Sequence, residues 1–424
     1  MLRCISENTY TPLVKNIQEV ITSETYRSFY WGHQQTIEEI AHLYEIFHTK
    51  QPISSNFKLT VANIFEHNWN WERYCLEHLC EIEEFQLKQV DIMLACQRKG
   101  LGGKIYLCPR CGEEKYVAFT CMSRICSHCG KLYSTSWDNI IMQRYLDVPH
   151  RHVIFTLPEE LWGYVRKYPK LINAMFQAAN ETIHRLFDMQ FGKDKVRPGM
   201  IDIVHFTGRD LKYNPHLHAL VTEGGLDENG IWHKHSYWPY ESMRRIWQYE
   251  IIKKFRRILP KDLETKSMLD ALSKSYDGFV VKNFRDLMNI KDLGKYLSRY
   301  VRHPPIGESR LLEYDGESIK IKYEWDNEMN TTWIPIDRFI DAILSNIPPK
   351  GFQVVRYYGM YSNRLYSSSK KALDEKESQS LVNPKIGTVQ KSLYDEPICE
   401  KCGVPMDLVI IEYWKGIEKV VRIC

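Results

Sequence analysis

GMIDIVHFTGRDLKYNPHLHALVTEGG, residues 199–225, decides the fold class. Residues 199–207 and 216–223 are short apolar runs that predict two β-strands, with the connection between them. His216 and His218 stand two apart on the second run, so both imidazoles project from one face while Leu217 points to the other. That geometry suits a divalent metal, although paired strand histidines are also commonly just hydrogen-bonded. His205 on the preceding strand, or Asp210 in the connection, would supply a third ligand.

Outward from this pair, RHVIFTL (151–157), ended by Pro158, predicts a buried strand, and Pro169 opens a helix in PKLINAMFQAANETIHRLF. Gly224–Gly225 and Asn229–Gly230 flank a short hairpin reaching Trp232. Helices are expected from about 240 to 302, where Pro304 and Pro305 stop them. LLEYDGESIKIKY carries Asp315–Gly316 between two strand-like runs, a hairpin signal, followed by a helix in DRFIDAILSNI and a strand in GFQVVRYY. Residues 1–95 have helical spacing, and 367–395, rich in Ser, Lys, Glu and Asp, predict a linker.

The 424 residues, 44% hydrophobic and 26% charged, exclude a disordered, collagen-like or coiled-coil chain. No apolar stretch approaches the roughly 18 residues of a membrane span, and the first residues lack the apolar core of a secretory signal, so a cytoplasmic location is expected. The net charge of +4 names no partner, but residues 244–302 carry 15 basic and 7 acidic side chains, a region a polyanion would prefer.

Twelve cysteines in a long chain expected to stay inside the cell point to metal rather than disulfides. CPRCGEEKYVAFTCMSRICSHCG holds two Cys-x-x-Cys pairs, each followed by Gly, and four thiolates suit tetrahedral zinc. The expected structural site is Cys108, Cys111, Cys126 and Cys129, with Cys121 as an alternative ligand and His128 a weaker one. Cys75, Cys80 and Cys96 show no ligand spacing and are expected to be buried thiols. ICEKCG (398–403) is half a zinc site, Cys399 and Cys402, with Cys424 the only other sulfur nearby.

In DLGKYLSRYVRHPPI, Tyr296 and Tyr300 are one helical turn apart. At about 100° per residue, Leu293, Leu297 and Val301 form an apolar stripe, Lys295, Arg299 and Arg302 a basic stripe, and the tyrosines lie between. Metal-binding histidines, paired tyrosines and a basic helix are what DNA strand cleavage by tyrosine requires: neutralisation of the phosphodiester and activation of a phenol whose pKa is near 10.

In this order of segments, from CMSRICSHCG through HVIFTLP, NPHLHALVTEGG and KYLSRYVRHPPIGESRL to FQVVRYYGMYSNR, the chain resembles the HUH endonucleases, and among them the two-tyrosine rolling-circle transposases of bacterial insertion sequences. The resemblance spans roughly residues 96–365. It implies an α+β protein with a ferredoxin-like antiparallel sheet, Mg2+ or Mn2+ held by His216 and His218 with His205 the nominated third ligand, and Tyr296 and Tyr300 as nucleophiles that leave a 5′-phosphotyrosine and a free 3′-hydroxyl. Structural Zn2+, single-stranded DNA at element ends and target as the partner, DNA contacts from Lys295, Arg299 and Arg302, and work at the bacterial nucleoid follow from it. Trp137, Trp162 and Tyr213 are aromatics that could stack on bases, although core packing is the more common use.

The domain plan is a helical region over 1–95, a zinc-binding module over 96–135, the HUH nuclease domain over 136–310, a strand and helix extension over 311–366, a linker over 367–395 and a candidate zinc knuckle over 396–424. Competing readings are a plasmid replication initiator or relaxase with the same chemistry, and a non-catalytic zinc-dependent DNA-binding regulator.

Overall fold

A computed structural model describes residues 52–78, 81–98, 101–130, 144–235, 237–275, 277–284, 304–325, 328–349, 351–377, 397–415 and 418–423. Tyr296, Tyr300, Lys295, Arg299, Arg302, Trp137, Cys80 and Cys424 lie outside them.

Three short helices begin the described chain: α1 (Val61–Glu66), capped by the Thr60 hydroxyl on the Asn63 N–H, α2 (Asn70–Glu77) and α3 (Glu84–Leu94). The strands β1 (Gly103–Leu107) and β2 (Glu114–Ala118) follow. They form a sheet with the last two strands of the chain, introduced below.

The central sheet begins with β3 (His150–Thr156). Helices α4 (Trp162–Lys167) and α5 (Lys170–Phe191) lead to β4 (Arg197–Thr207), β5 (Tyr213–Leu226) and the short β6 (Trp232–Lys234). Pro169 starts α5, as its sequence predicts, and Gly192 at φ 90° ends it in a conformation open to glycine. After α6 (Tyr240–Ile258) and α7 (Leu263–Ser273) comes β7 (Val281–Phe284). That strand corrects the expectation that only helices fill the stretch from about 240 to 302.

Strands β8 (Leu311–Tyr314), β9 (Ser318–Trp325) and β10 (Glu328–Pro335) form a separate antiparallel sheet whose first turn is the Asp315–Gly316 hairpin. Helix α8 (Ile336–Leu344), strand β11 (Val355–Gly359) and helix α9 (Tyr366–Glu377) follow. Helix α9 occupies the start of the predicted linker, a second correction. The chain ends in the hairpin β12 (Asp407–Lys415) and β13 (Glu418–Ile423), which gives the sheet order β13-β12-β1-β2.

The central order is β11-β4-β5-β3-β7, antiparallel throughout. Taken in chain order, β3–α5–β4–β5–α6–β7 is the βαββαβ pattern of a ferredoxin-like sheet, with β11 added beside β4. The fold is α+β. Strand alternation divides the sheet: Val153, Met200, Val204, Leu217, Ala219 and Val221 face α5 and α6, where Trp247 is buried and donates its indole N–H to the Thr156 carbonyl. Ile201, Ile203 and Leu220 face the other way, with the histidines, and pack with Tyr361.

A second core joins the N-terminal helices to β8, β9 and α8 through Phe65, Trp71, Ile319 and Phe339, and it includes Leu211 from the β4–β5 connection. No described helix is long and apolar enough to cross a membrane.

Candidate metal centres

Register places the histidines. His205 on β4 is directly opposite His216 on β5, and Ile203 opposite His218, so the three imidazoles rise from one face of neighbouring strands. Their ligand nitrogens all lie within 4.8 Å of one another. His216 donates Nδ1–H to the Asn214 carbonyl at 2.6 Å, which leaves its Nε2 as a bare lone pair, and that atom sits 3.1 Å from His218 Nε2. On the far side, His218 Nδ1 is 2.9 Å from His152 Nε2, with the two rings parallel.

Burial favours the neutral form of His216, His218 and His152. It lowers His216 despite the opposing hydrogen bond to Asn214, and it lowers His218 well below the ordinary range, reinforced by the charges His205, His216 and His152 would carry. His152 is pushed down to about 4, by burial first and then by His216. In the neutral pair His218 Nε2–H can donate to His216 Nε2, and a divalent ion would take the place of that proton, since adjacent ligands about 2.1 Å from a metal sit about 3 Å apart. The donor set therefore fits a divalent ion. Asp210, the other nominee, lies apart: its carboxylate accepts from the Lys212 N–H within its own turn.

His152 escaped the sequence reading. It lies on β3, two positions before the strand residue that pairs with His218, and only the sheet order brings it there.

The cysteines correct a further expectation. Cys108 and Cys111 do not meet Cys126 and Cys129; the structure separates the expected quartet into two clusters. In one, Cys96, Cys121, Cys126 and Cys129 converge, with sulfur separations of 3.4 Å (Cys121–Cys129) and 3.6 Å (Cys96–Cys129 and Cys96–Cys126). Backbone N–H groups of Cys121 and Ser123 point at the Cys96 and Cys121 sulfurs. Tetrahedral Zn–S bonds of about 2.3 Å would set sulfurs about 3.8 Å apart, so this set fits zinc.

Thus Cys96, read as a buried thiol, stands among possible ligands, Cys121 is a full member, and His128 joins neither cluster. In the other cluster Cys108 and Cys111 meet Cys399 and Cys402. Burial raises the Cys108 thiol, but the backbone N–H groups of Cys111 and Arg110 outweigh it and draw it down to about 7, toward the thiolate a metal needs.

The remaining nominees have structural work. Trp162 packs on the main core and donates its indole N–H to the Leu157 carbonyl, and Tyr213 lies under the Arg166 guanidinium at 4.5 Å. Three of the cations on α6 are matched: Lys254 reaches Glu181 at 2.6 Å, Arg256 reaches Asp270 at 2.6 Å, and Lys253 reaches buried Glu250 at 3.4 Å.

The chain is a ferredoxin-like sheet with three converging histidines and two cysteine clusters that fit zinc, and sequence comparison shows which proteins it is similar to. Residues 199–370 match the family described as "Putative transposase", and residues 64–157 match the "Transposase zinc-binding domain" of IS91-type elements. Over these two segments the chain is similar to insertion-sequence transposases of the IS91/IS801 type.

It is 29% identical over 327 residues to the transposase for insertion sequence element IS801 of Pseudomonas savastanoi pv. phaseolicola, covering 72% of this chain and 77% of that protein. It is 24% identical over 342 residues to the "Putative transposase y4qJ" of Sinorhizobium fredii (strain NBRC 101917 / NGR234), covering 72% and 80%. No solved structure matches the chain.

Proposed function

We propose that this transposase cuts and rejoins single-stranded DNA by tyrosine attack, in a rolling-circle route, with His205, His216 and His218 holding Mg2+ or Mn2+ and Tyr296 and Tyr300 as paired nucleophiles. The observation that carries this reading is the meeting of three imidazoles on one face of the sheet, two of them presenting Nε2 atoms 3.1 Å apart. A divalent cation bound there supplies neutralisation of a non-bridging phosphate oxygen. An all-nitrogen donor set favours Mn2+ over Mg2+.

The chain's own part is to hold the ligands and deliver the phenol. Asn214 and His152 fix the ring orientations of His216 and His218. The stretch that carries Tyr296 and Tyr300 follows Phe284 in the sequence, and Phe284 is in register with His152. One phenol loses its proton and its oxygen bonds to phosphorus; the bond from phosphorus to the 3′-oxygen breaks, and that oxygen takes up a proton. The products are a 5′-phosphotyrosine ester and a free 3′-hydroxyl. The ester retains the phosphoryl group for attack by a later 3′-hydroxyl, which rejoins the strand and regenerates the phenol, and the second tyrosine accepts a second strand. Lys295, Arg299 and Arg302 contact the phosphates. Cys96, Cys121, Cys126 and Cys129 hold structural Zn2+.

Incubating the full chain with a labelled single-stranded element end and Mn2+ or Mg2+ should give an SDS-stable protein–DNA adduct. Replacing both Tyr296 and Tyr300 with Phe should abolish it while DNA binding persists, and EDTA should abolish it in the parent chain. An adduct that survives in the double Phe variant would rule the tyrosines out.

A further inference from the structure

We propose that Cys108, Cys111, Cys399 and Cys402 bind a second zinc ion, one that clamps the C-terminal hairpin onto the N-terminal cysteine module. The two pairs are copies of one knuckle. Cys108-Pro-Arg-Cys-Gly112 and Cys399-Glu-Lys-Cys-Gly403 turn in the same way: Gly112 N–H donates to the Cys108 carbonyl at 3.0 Å and Gly403 N–H to the Cys399 carbonyl at 2.8 Å. Cys108 N–H reaches the Glu113 carbonyl at 2.8 Å, and Cys399 N–H the Val404 carbonyl at 2.9 Å. Gly112 and Gly403 lie at φ 71° and 66°, where a side chain would be strained.

The knuckles face each other. All four sulfurs lie within 4.8 Å of one another, and Cys111 Sγ is 3.7 Å from Cys399 Sγ although 288 positions separate them in the chain. That distance matches the roughly 3.8 Å edge of a tetrahedral zinc–thiolate site and is far beyond the roughly 2.05 Å of a disulfide. Cys108 and Cys399 are buried, in a small core with Tyr106 and Met406.

Two independent contacts hold the knuckles in this relation. Strand β1, which runs into the first knuckle, pairs with β12, which follows the second, with Leu107 opposite Asp407. Across the interface, Lys115 meets Glu400 at 3.0 Å and Lys401 meets Glu113 at 2.5 Å, a reciprocal exchange that also sets two cations beside a site of excess negative charge. This ion is distinct from one held by Cys96, Cys121, Cys126 and Cys129. Half of its ligands come from beyond residue 157, where the match to the zinc-binding domain ends.

Native mass spectrometry and metal analysis of the full chain, purified and dialysed, test the assignment. The parent should hold about two zinc ions per chain, Cys399→Ser with Cys402→Ser about one, and Cys402→His, which keeps a ligand, about two. A parent chain with a single zinc, or two ions retained after both serine substitutions, would overturn it. Should the double serine variant lose both ions by misfolding, iodoacetamide mapping of the parent decides. Shielding of Cys399 and Cys402 that a chelator removes supports the site, and free reaction of both in the zinc-loaded chain refutes it.

Discussion

His218 has two ring nitrogens and both face another imidazole, so its protons have little freedom. His216 spends its Nδ1–H on the Asn214 carbonyl, and a cation held by His216 and His218 would take the Nε2 lone pair of each. The His218 proton must then sit on Nδ1 and be donated to His152 Nε2, 2.9 Å away. With an ion bound, His152 would fix the tautomer and aim of His218 without itself touching the ion.

Replacing His152 by Ala should weaken Mn2+ binding by about 10–100-fold, the usual cost of losing such a support. Gln, whose amide oxygen can accept the same proton, should recover most of it. Titration calorimetry distinguishes the outcomes: equal affinity in the parent and His152→Ala would remove His152 from the site, and equal loss in Ala and Gln would reduce its role to filling space. At this scale the sequence showed His205, His216 and His218, because alternation along a strand is a local property. It hid His152 and Cys96, whose neighbours come from pairings many residues distant.

Among the elements, the strands with apolar runs or turn signals were readable: β3, β4, β5 and the β8–β9 hairpin fall where periodicity predicts. Strand β7, only four residues long after a helical stretch, and α9, a polar helix resting on the core through Tyr366, Ala372 and Leu373, lack that signal. The edge strand β11 is secured by the corner after it, where the Tyr361 hydroxyl receives the Leu146 N–H and meets His150 Nε2 on β3 at 2.7 Å.

Burial pushes His150 down to about 3, against about 6.5 in an unfolded chain. Between those values the unfolded state binds a proton that the folded state refuses, so stability falls as pH drops below about 6.5 and continues to fall to about 3. Urea unfolding of His150→Gln should show a pH slope shallower than the parent by about one proton, on the order of 1.4 kcal/mol per pH unit across that window. Identical slopes would mean that His150 is not buried in its neutral form.

The whole molecule couples the cysteine module to the histidine face through one loop. Leu211, in the connection between His205 on β4 and His216 on β5, is buried in the core that contains Cys126 and Cys129, and it holds φ 65°, a conformation a leucine adopts only when packing enforces it. Arg124, between Cys121 and Cys126, also reaches the Val204 carbonyl on β4. An ion at Cys96, Cys121, Cys126 and Cys129 would thus brace the hairpin that carries His205, His216 and His218, a link invisible to any reading of local sequence.

Removing that ion by Cys121→Ser with Cys129→Ser should loosen the core under Leu211, while β3 and β5, packed on α5 and α6, keep their protection. Hydrogen exchange at residues 208–212, where Leu211 N–H bonds the Gly208 carbonyl at 3.1 Å, should accelerate more than tenfold, on the order of 1.4 kcal/mol of local opening free energy. Unchanged exchange there in a variant that has lost its zinc would show that the two metal centres are energetically separate.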